Sequence, residues 1–590
     1  MLRKIAPALF VFALVVGLTP LGVARADHTD PNTPLSPTEG ATESEFIATG
    51  EGTWDFIRNF PANPGTDLEF FKKGYDWYAS SGTLGQADEL HVGQRIIRLT
   101  EVGVVSPSWV ADHGSANCPT ENPGGTTGLQ HDVQVTSSKN PLLLIDTTDA
   151  TGRCHDGLGG GLEFVDISRI NQPGFEAREV HLTRHAGTSH TVTVDATRPW
   201  IVYNSSSDFA GRPWIDVLDI RTCLVKPRLH IDTKREQCRP VVYRIPFETT
   251  WTQMYDVHDQ ALVGGSAACH DITARPGRIY CAALNATLIL DVTNLTDPTT
   301  RNVRGTPLTC TVVDGEQTGA KVTDCTANQD PAAVAEGWEF LGTYNHPGRD
   351  CVFPHPPGQP VTTCNSNTSV RSDNGVAVSH ESDPDGTGTY MFVTDERGGG
   401  VVPPGSTCTP GLDNPYGNGG AHMFDISDPS NIHYAPGYQG TPEEPKAIFI
   451  GEEVVPAATF CDIHVMEPLA GSQRFITAYY TQGTKIVDYR LDETGKWTFT
   501  EVAGFILPNA NTWAVQNFKT VGNQDGTVTY YFMATDIQRG IDIFSWTGPR
   551  GPGIGSIVPA GSASMANLGL VGLALMLLPA AAVYGRRRRR

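Results

Sequence analysis

His270-Asp271-Ile272-Thr273-Ala274, then Arg278-Ile279-Tyr280-Cys281-Ala282-Ala283, then Leu288-Ile289-Leu290-Asp291-Val292 is the clearest copy of a unit that recurs along this chain. A histidine heads a short apolar-alternating segment, an aromatic-containing segment follows, and a β-branched segment closes on aspartate. The same heading occurs at His131-Asp132-Val133-Gln134-Val135, His190-Thr191-Val192-Thr193-Val194 and His380-Glu381-Ser382-Asp383-Pro384. It recurs, shifted by a flanking Asp462-Ile463, at His464-Val465-Met466-Glu467. The closing segments end at Asp166, Asp219, Asp425 and Asp488. Self-similarity at this spacing is the mark of a repeat architecture.

Period-two alternation over four to six residues, bounded by Gly, Pro, Asp and Asn, reads as short strands. Three such strands and a variable fourth make one propeller blade. Two further copies lack the heading histidine, one from Asp67 to Leu99 and one from Trp513 to Phe544. The expectation is an all-β, seven-bladed β-propeller. The strand-like run from Phe46 to Phe60 is expected to close the ring against the last unit. After the closing aspartates stand turn signals such as Asp291-Val292-Thr293-Asn294 and Asp425-Ile426-Ser427-Asp428-Pro429, where Asp side chains bond their own backbone and proline pre-sets the turn.

This combination of an apolar strand, a Leu-Ile-Leu-Asp-like closing strand and a following Ser-Asp-Pro resembles the LVIVD-repeat family of bacterial exported β-propellers. The resemblance covers roughly Asp67 to Phe544 and implies the fold. It says little about activity, because one propeller fold hosts many functions.

The chain has 590 residues, too many for one ordinary core, but a radial repeat extends as a single unit because each module packs on its neighbours. Residues 1–26 read as a cleaved signal peptide, with Arg3 and Lys4, an apolar run from Ile5 to Leu21, and Ala24-Arg25-Ala26. Residues 27–45 are a Pro/Thr/Ser/Glu-rich flexible lead, 46–548 the propeller with disulfide-pinned loop insertions, and 549–567 a Gly/Pro/Ser-rich linker. Residues 568–590 form an apolar stretch ending in Arg586 to Arg590, expected to be a transmembrane or sorting segment with the arginines cytoplasmic. The propeller is therefore expected outside the cytoplasm, at the cell surface or envelope.

All 12 cysteines lie beyond the signal peptide, an even number with no C-x-x-C pair, which favours disulfides in an exported chain. Proximity suggests Cys118 with Cys154, Cys223 with Cys238, Cys269 with Cys281, Cys310 with Cys325, Cys351 with Cys364, and Cys408 with Cys461. The longest interval between headings, His270 to His380, contains two of these pairs, expected as pinned loops on one face where a protein or small-molecule ligand would bind. A net charge of −21 argues against nucleic acid as a partner, since phosphate binding needs clustered Lys and Arg.

Because the first strand of each blade lines the channel, His131, His190, His270, His380 and His464 are expected to face a common axis. Two readings follow. They are metal ligands for Cu, Fe or Zn, as in propeller oxygenases that hold iron through histidines of several blades, or they are fasteners that bond within their own blade. His185 lies close to His190, and the remaining histidines read as loop residues. Asp383-Pro384-Asp385-Gly386 reads as a hairpin turn, with a calcium loop as the alternative. No G-x-S-x-G elbow, H-E-x-x-H pair or P-loop is present. The functional expectation is an envelope-anchored binding or interaction scaffold. The alternative is a metal-dependent oxidoreductase with the five histidines as ligands.

Overall fold

The computed structural model describes residues 46–60, 65–83, 93–101, 104–114, 132–136, 142–148, 161–173, 175, 177–183, 189–205, 214–224, 238, 240–246, 269–283, 286–296, 306–307, 309–314, 321–326, 335–345, 379–395, 420–438, 447–450, 453–456, 463–480, 482–494, 496–508, 510–537 and 539–553. The signal-peptide, lead and C-terminal segments expected from the sequence lie outside these residues. Among the described residues no helix is long and apolar enough to cross a membrane.

Seven antiparallel sheets form seven blades. Their first strands are Gly65–Lys73, Val133–Val135, Val192–Val194, Asp271–Arg275, Ser379–Pro384, Val465–Pro468 and Thr512–Gly522. Each first strand touches that of the next blade, and the seventh touches the first, so these strands close a ring about the axis. The core is divided accordingly. Seven apolar clusters each fill the seam between two neighbouring blades, such as Phe392 and Met423 of blade 5 against Phe475 and Val487 of blade 6. The alternation read from the sequence is thus burial between blades, which sequence periodicity reports without saying which neighbour is met.

The closing aspartates end their strands as expected. Asp166, Asp219, Asp291 and Asp425 each accept the backbone N–H two residues on, at 2.7 to 2.9 Å. Asp488 departs from this: it pairs with buried Arg474, whose Nε lies 2.6 Å from its carboxylate.

Ring closure uses the N-terminal run, split in two. Ile47–Gly50 adds a fifth strand to blade 6 beside Trp497–Ile506, and Thr53–Phe60 supplies the outer strand of blade 7 beside Gly540–Gly548. Gly50 and Gly52, at φ +81° and +82°, make the step between blades. A Cβ at Gly50 would stand 2.1 Å from the Val502 carbonyl oxygen, so only glycine fits. Trp54 then stacks on Phe505 of blade 6 at 5.0 Å and meets Trp546 of blade 7 at 6.4 Å.

One expectation needs correction. The segment holding Cys310 and Cys325 is a β-hairpin, Thr309–Asp314 with Lys321–Thr326, and not a loop on one face. It leaves blade 4 and pairs in parallel with Arg178–Thr183, the outer strand of blade 2, because that free edge offers unpaired backbone groups. The backbones of Cys310 and Cys325 lie opposite each other. Disulfides Cys223–Cys238 and Cys269–Cys281 are present as paired from proximity. Cys118, Cys154, Cys351, Cys364, Cys408 and Cys461 lie outside the described residues.

Candidate metal centre

His190, His270 and His464 are held by their backbones. The carbonyl of His190 accepts a hydrogen bond from Thr147 Oγ1 of blade 2 at 3.1 Å, that of His270 from Ser205 Oγ of blade 3 at 3.0 Å, and that of His464 from Thr394 Oγ1 of blade 5 at 3.1 Å. The same hydroxyls receive the N–H of the residue after their own blade's heading position. Asp132 donates to Thr147 at 2.7 Å, Thr191 to Ser205 at 3.0 Å and Glu381 to Thr394 at 3.1 Å. A second-strand hydroxyl therefore bonds both its own blade and the next.

With the backbone fixed this way, the rings of successive blades come into contact. His190 and His270 have centroids 3.9 Å apart, His270 and His380 4.7 Å, and His380 and His464 4.1 Å. All four residues are at least 96% buried. His190, His270 and His380 each offer a ring nitrogen, and the three nitrogens lie within 4.8 Å of one another. One ion about 2 Å from each nitrogen needs them within about 4 Å of one another, an adjustment of under about 1 Å per ring. His464 stands next in the row, its Nδ1-bearing ring against Tyr480 at 5.6 Å and its carbonyl 3.0 Å from His380 Nδ1. Burial, reinforced by the neighbouring His380 and His190, holds His464 well below the usual imidazole range, so its neutral form prevails. His131, His185 and Asp462 lie outside the described residues.

Trp513 belongs to this row although it is not a histidine. In blade 7 Ala514 N–H donates to Thr535 Oγ1 at 3.2 Å, the bond that Thr191 and Glu381 make in theirs, so Trp513 occupies the heading position. Its ring lies 4.3 Å from that of His464, and it is fully buried. The hydroxyl-bearing strand Val528–Asp536 stands further along the chain from Trp513 than its counterparts do from the histidines, so sequence spacing did not mark the position.

Residues one and three beyond the heading do a different job. Asp132 accepts the N–H of Val192 at 2.7 Å, Glu381 that of Met466 at 2.7 Å, Thr193 that of Ala274 at 3.3 Å and Glu467 that of Asn517 at 2.9 Å. In every case a side chain satisfies a backbone donor on the channel edge of the next blade, where no strand partner exists. Burial pushes Glu69 and Glu467 up to about 8 and Asp383 to about 6, the last opposed by Arg275. Burial likewise raises Asp132 and Glu381 well above the carboxylate range, with Asp67 adding to the first and Asp271 and Asp383 to the second.

Asp383 and Asp385 form no calcium loop. Asp383 pairs with Arg275 of blade 4, and Asp385 accepts from Thr387 N–H at 3.2 Å and Thr387 Oγ1 at 2.7 Å, capping the hairpin turn. His422, read as a loop residue, is fully buried on the third strand of blade 5, whereas His433 is exposed.

No family model matches the chain, and no curated protein matches it. Similar solved structures include that of Saccharomyces cerevisiae Sqt1, at 7% identity, covering 85% of this chain and 100% of that one with a TM-score of 0.38. The β-propeller domain of Myceliophteria thermophila Cps50 (Swd1) matches at 10% identity, covering 83% and 99%, with a TM-score of 0.36. At that level they add nothing to what the blades themselves establish.

Proposed function

We propose that this chain is an exported, envelope-anchored propeller of LVIVD-repeat type that acts as a binding scaffold for a transition metal held by His190, His270 and His380. The observation that carries the reading is the approach of three imidazole nitrogens from three consecutive blades to within 4.8 Å of one another. Neutral imidazoles suit Cu, Fe, Zn and Ni. Export and anchoring rest on the sequence of residues 1–26 and 568–590.

Bound metal in untagged protein from an oxidising compartment is measured by mass spectrometry. Near-stoichiometric Cu, Fe or Zn is expected, and its disappearance from a His270→Ala, His380→Ala double variant that still melts cooperatively. Protein that stays empty after incubation with each metal would remove the reading.

An oxidoreductase is the second reading. Three nitrogen ligands leave a coordination position of a four-coordinate ion open, as redox or Lewis-acid chemistry requires. Its test is turnover of an electron donor by loaded protein, lost with the metal in the double variant.

A further inference from the structure

We propose that His380 takes the metal through Nε2 while its Nδ1 proton is given to the backbone carbonyl of His464, and that Thr394 positions this pair. The proposal rests on the metal-binding reading above. It starts from a contact between blades 5 and 6, where His380 Nδ1 lies 3.0 Å from the His464 carbonyl oxygen. A carbonyl oxygen only accepts, so the proton of this bond is on Nδ1. Turning the ring over would put a C–H in that place, and C–H···O contacts stand off at about 3.3–3.6 Å. With Nδ1 protonated, Nε2 is the His380 nitrogen that can give a lone pair to a metal. A ligating histidine whose second nitrogen donates to a carbonyl is held in one tautomer and one orientation, and is the more basic for it.

Comparison with blade 3 explains why the His380 ring makes this bond. At the His270 carbonyl both donors are hydroxyls of blade 3, Ser205 Oγ at 3.0 Å and Thr191 Oγ1 at 3.2 Å. Thr191 follows the heading His190, and in blade 5 the corresponding place after His380 is held by Glu381. The Glu381 carboxylate is engaged with the Met466 N–H at 2.7 Å. One lone pair of the His464 carbonyl is filled as in blade 3, by the second-strand hydroxyl of Thr394 at 3.1 Å. The other is left to a different donor, and the His380 ring supplies it.

Thr394 fixes the oxygen that His380 meets. Its Oγ1 accepts the Glu381 N–H at 3.1 Å, which directs its own proton to the His464 oxygen. The His464 N–H in turn donates to the Ala478 carbonyl of blade 6 at 3.1 Å. The carbonyl is thus held from both blades, and Thr394, His380 and His464 are all buried, where each bond is electrostatically stronger than in water. Thr394 acts on the ligand through the His464 carbonyl, which makes it a positioning residue.

Metal-free full-length protein carrying isotope-labelled histidine is placed in a magic-angle-spinning NMR spectrometer, where ring carbon and nitrogen shifts separate the two tautomers. The His380 signals are the set lost in His380→Asn. They should show a protonated Nδ1 that keeps its proton when zinc chloride is added, while Nε2 shifts on binding. A bare Nδ1, or zinc on Nδ1, would overturn the proposal. Should His380→Asn not fold, zinc shifts confined to Nδ1 in every responding histidine of the unmodified chain would overturn it as well. Side-chain length asks the same question by affinity. Asparagine places an amide N–H near the position of Nδ1, whereas glutamine reaches the position of Nε2 with an oxygen. His380→Gln should therefore lose zinc affinity about tenfold and His380→Asn about 100-fold or more, and the reverse order would overturn the assignment. Thr394→Val should lower zinc affinity about tenfold and admit the second tautomer of His380, with Thr394→Ser restoring both. Valine without effect would remove Thr394 from the site. Unmodified protein that never takes up zinc removes the underlying metal reading, whereas a bare Nδ1 in protein that does bind zinc overturns this proposal alone.

Discussion

On the same inner strands, one residue apart, stand two rows with different physical jobs. At the heading position the bonds between blades are made by the backbone carbonyl, which accepts from Thr147, Ser205 or Thr394 and which any residue would supply. At the next positions the bonds between blades are made by side chains: Asp132, Thr193, Glu381 and Glu467 each accept a backbone N–H from the following blade. Recurrence of acids and hydroxyls in the second row is thus explained by what a propeller needs, an acceptor for the channel edge of the following blade, as blades 3, 4, 6 and 7 show. The carbonyl fastening does not call for an imidazole, although the His380 ring adds a contact of its own, its Nδ1 lying 3.0 Å from the His464 carbonyl of the next blade. What sets the histidines apart is their contact with one another.

The largest expected effect separates the rows directly. His270→Phe keeps the carbonyl and a ring of similar size, so stability should change by no more than about 1.5 kcal/mol, while metal affinity should fall ~100-fold or more. Denaturant unfolding and metal content of the same preparation measure both. A variant that retains its metal would assign the histidines to packing alone.

The opposite pattern is expected one residue from His380. Glu381→Ala leaves the Met466 N–H in the blade 5–6 seam without its acceptor, at a cost of about 1–3 kcal/mol, with metal stoichiometry retained. Glu381→Gln retains an acceptor oxygen and should recover most of that stability. If alanine and glutamine behave alike, the seam bond contributes little.

These rows were unequally legible in the sequence. Seven units, their strand order and the aspartate turns follow from local pattern, because a strand's alternation and an Asx turn are set within a few residues. The single strand expected over Phe46 to Phe60 became two because Gly50 and Gly52 allow a step that alternation does not encode. The seam role of Asp132 or Glu381 depends on a donor 60 or 85 residues away, and nothing local marks it. Trp513 reads as the start of the seventh unit but not as a member of the histidine row, because an apolar residue at the start of a strand looks like ordinary core. The Thr309–Asp314 hairpin pairs with a blade two units back, an attachment decided by a free edge elsewhere in the fold.

Solution pH acts on the second row in a direction opposite to common acid denaturation. Glu69 and Glu467, raised to about 8, and Asp383, raised to about 6, bind protons more tightly folded than unfolded. Their contribution is fully present below the unfolded carboxyl range near 4.5 and is lost as pH rises through 6 and then 8. Metal-free protein should therefore melt a few degrees higher at pH 5 than at pH 9. The partial exposure of both glutamates keeps the effect modest. Glu69→Gln with Glu467→Gln should flatten the upper part of the profile. An unchanged slope would mean that other groups carry it.

The smallest effect tests whether Trp513 belongs to the histidine row in more than register. Its ring is 4.3 Å from His464, which lies 4.1 Å from His380, so the indole is two contacts from a metal ligand. Copper(II) quenches nearby indole emission, and of the 10 tryptophans Trp513 is the one in the heading row. Loading with copper should quench part of the emission, and Trp513→Phe should remove most of that change. Stability should fall by only about 1–2 kcal/mol and stoichiometry should hold, because phenylalanine still fills the seam between blades 7 and 1. Quenching that survives the substitution would put the copper elsewhere on the chain, and the row of rings would then be a packing motif that ends in a tryptophan because blade 7 needs only bulk at that position.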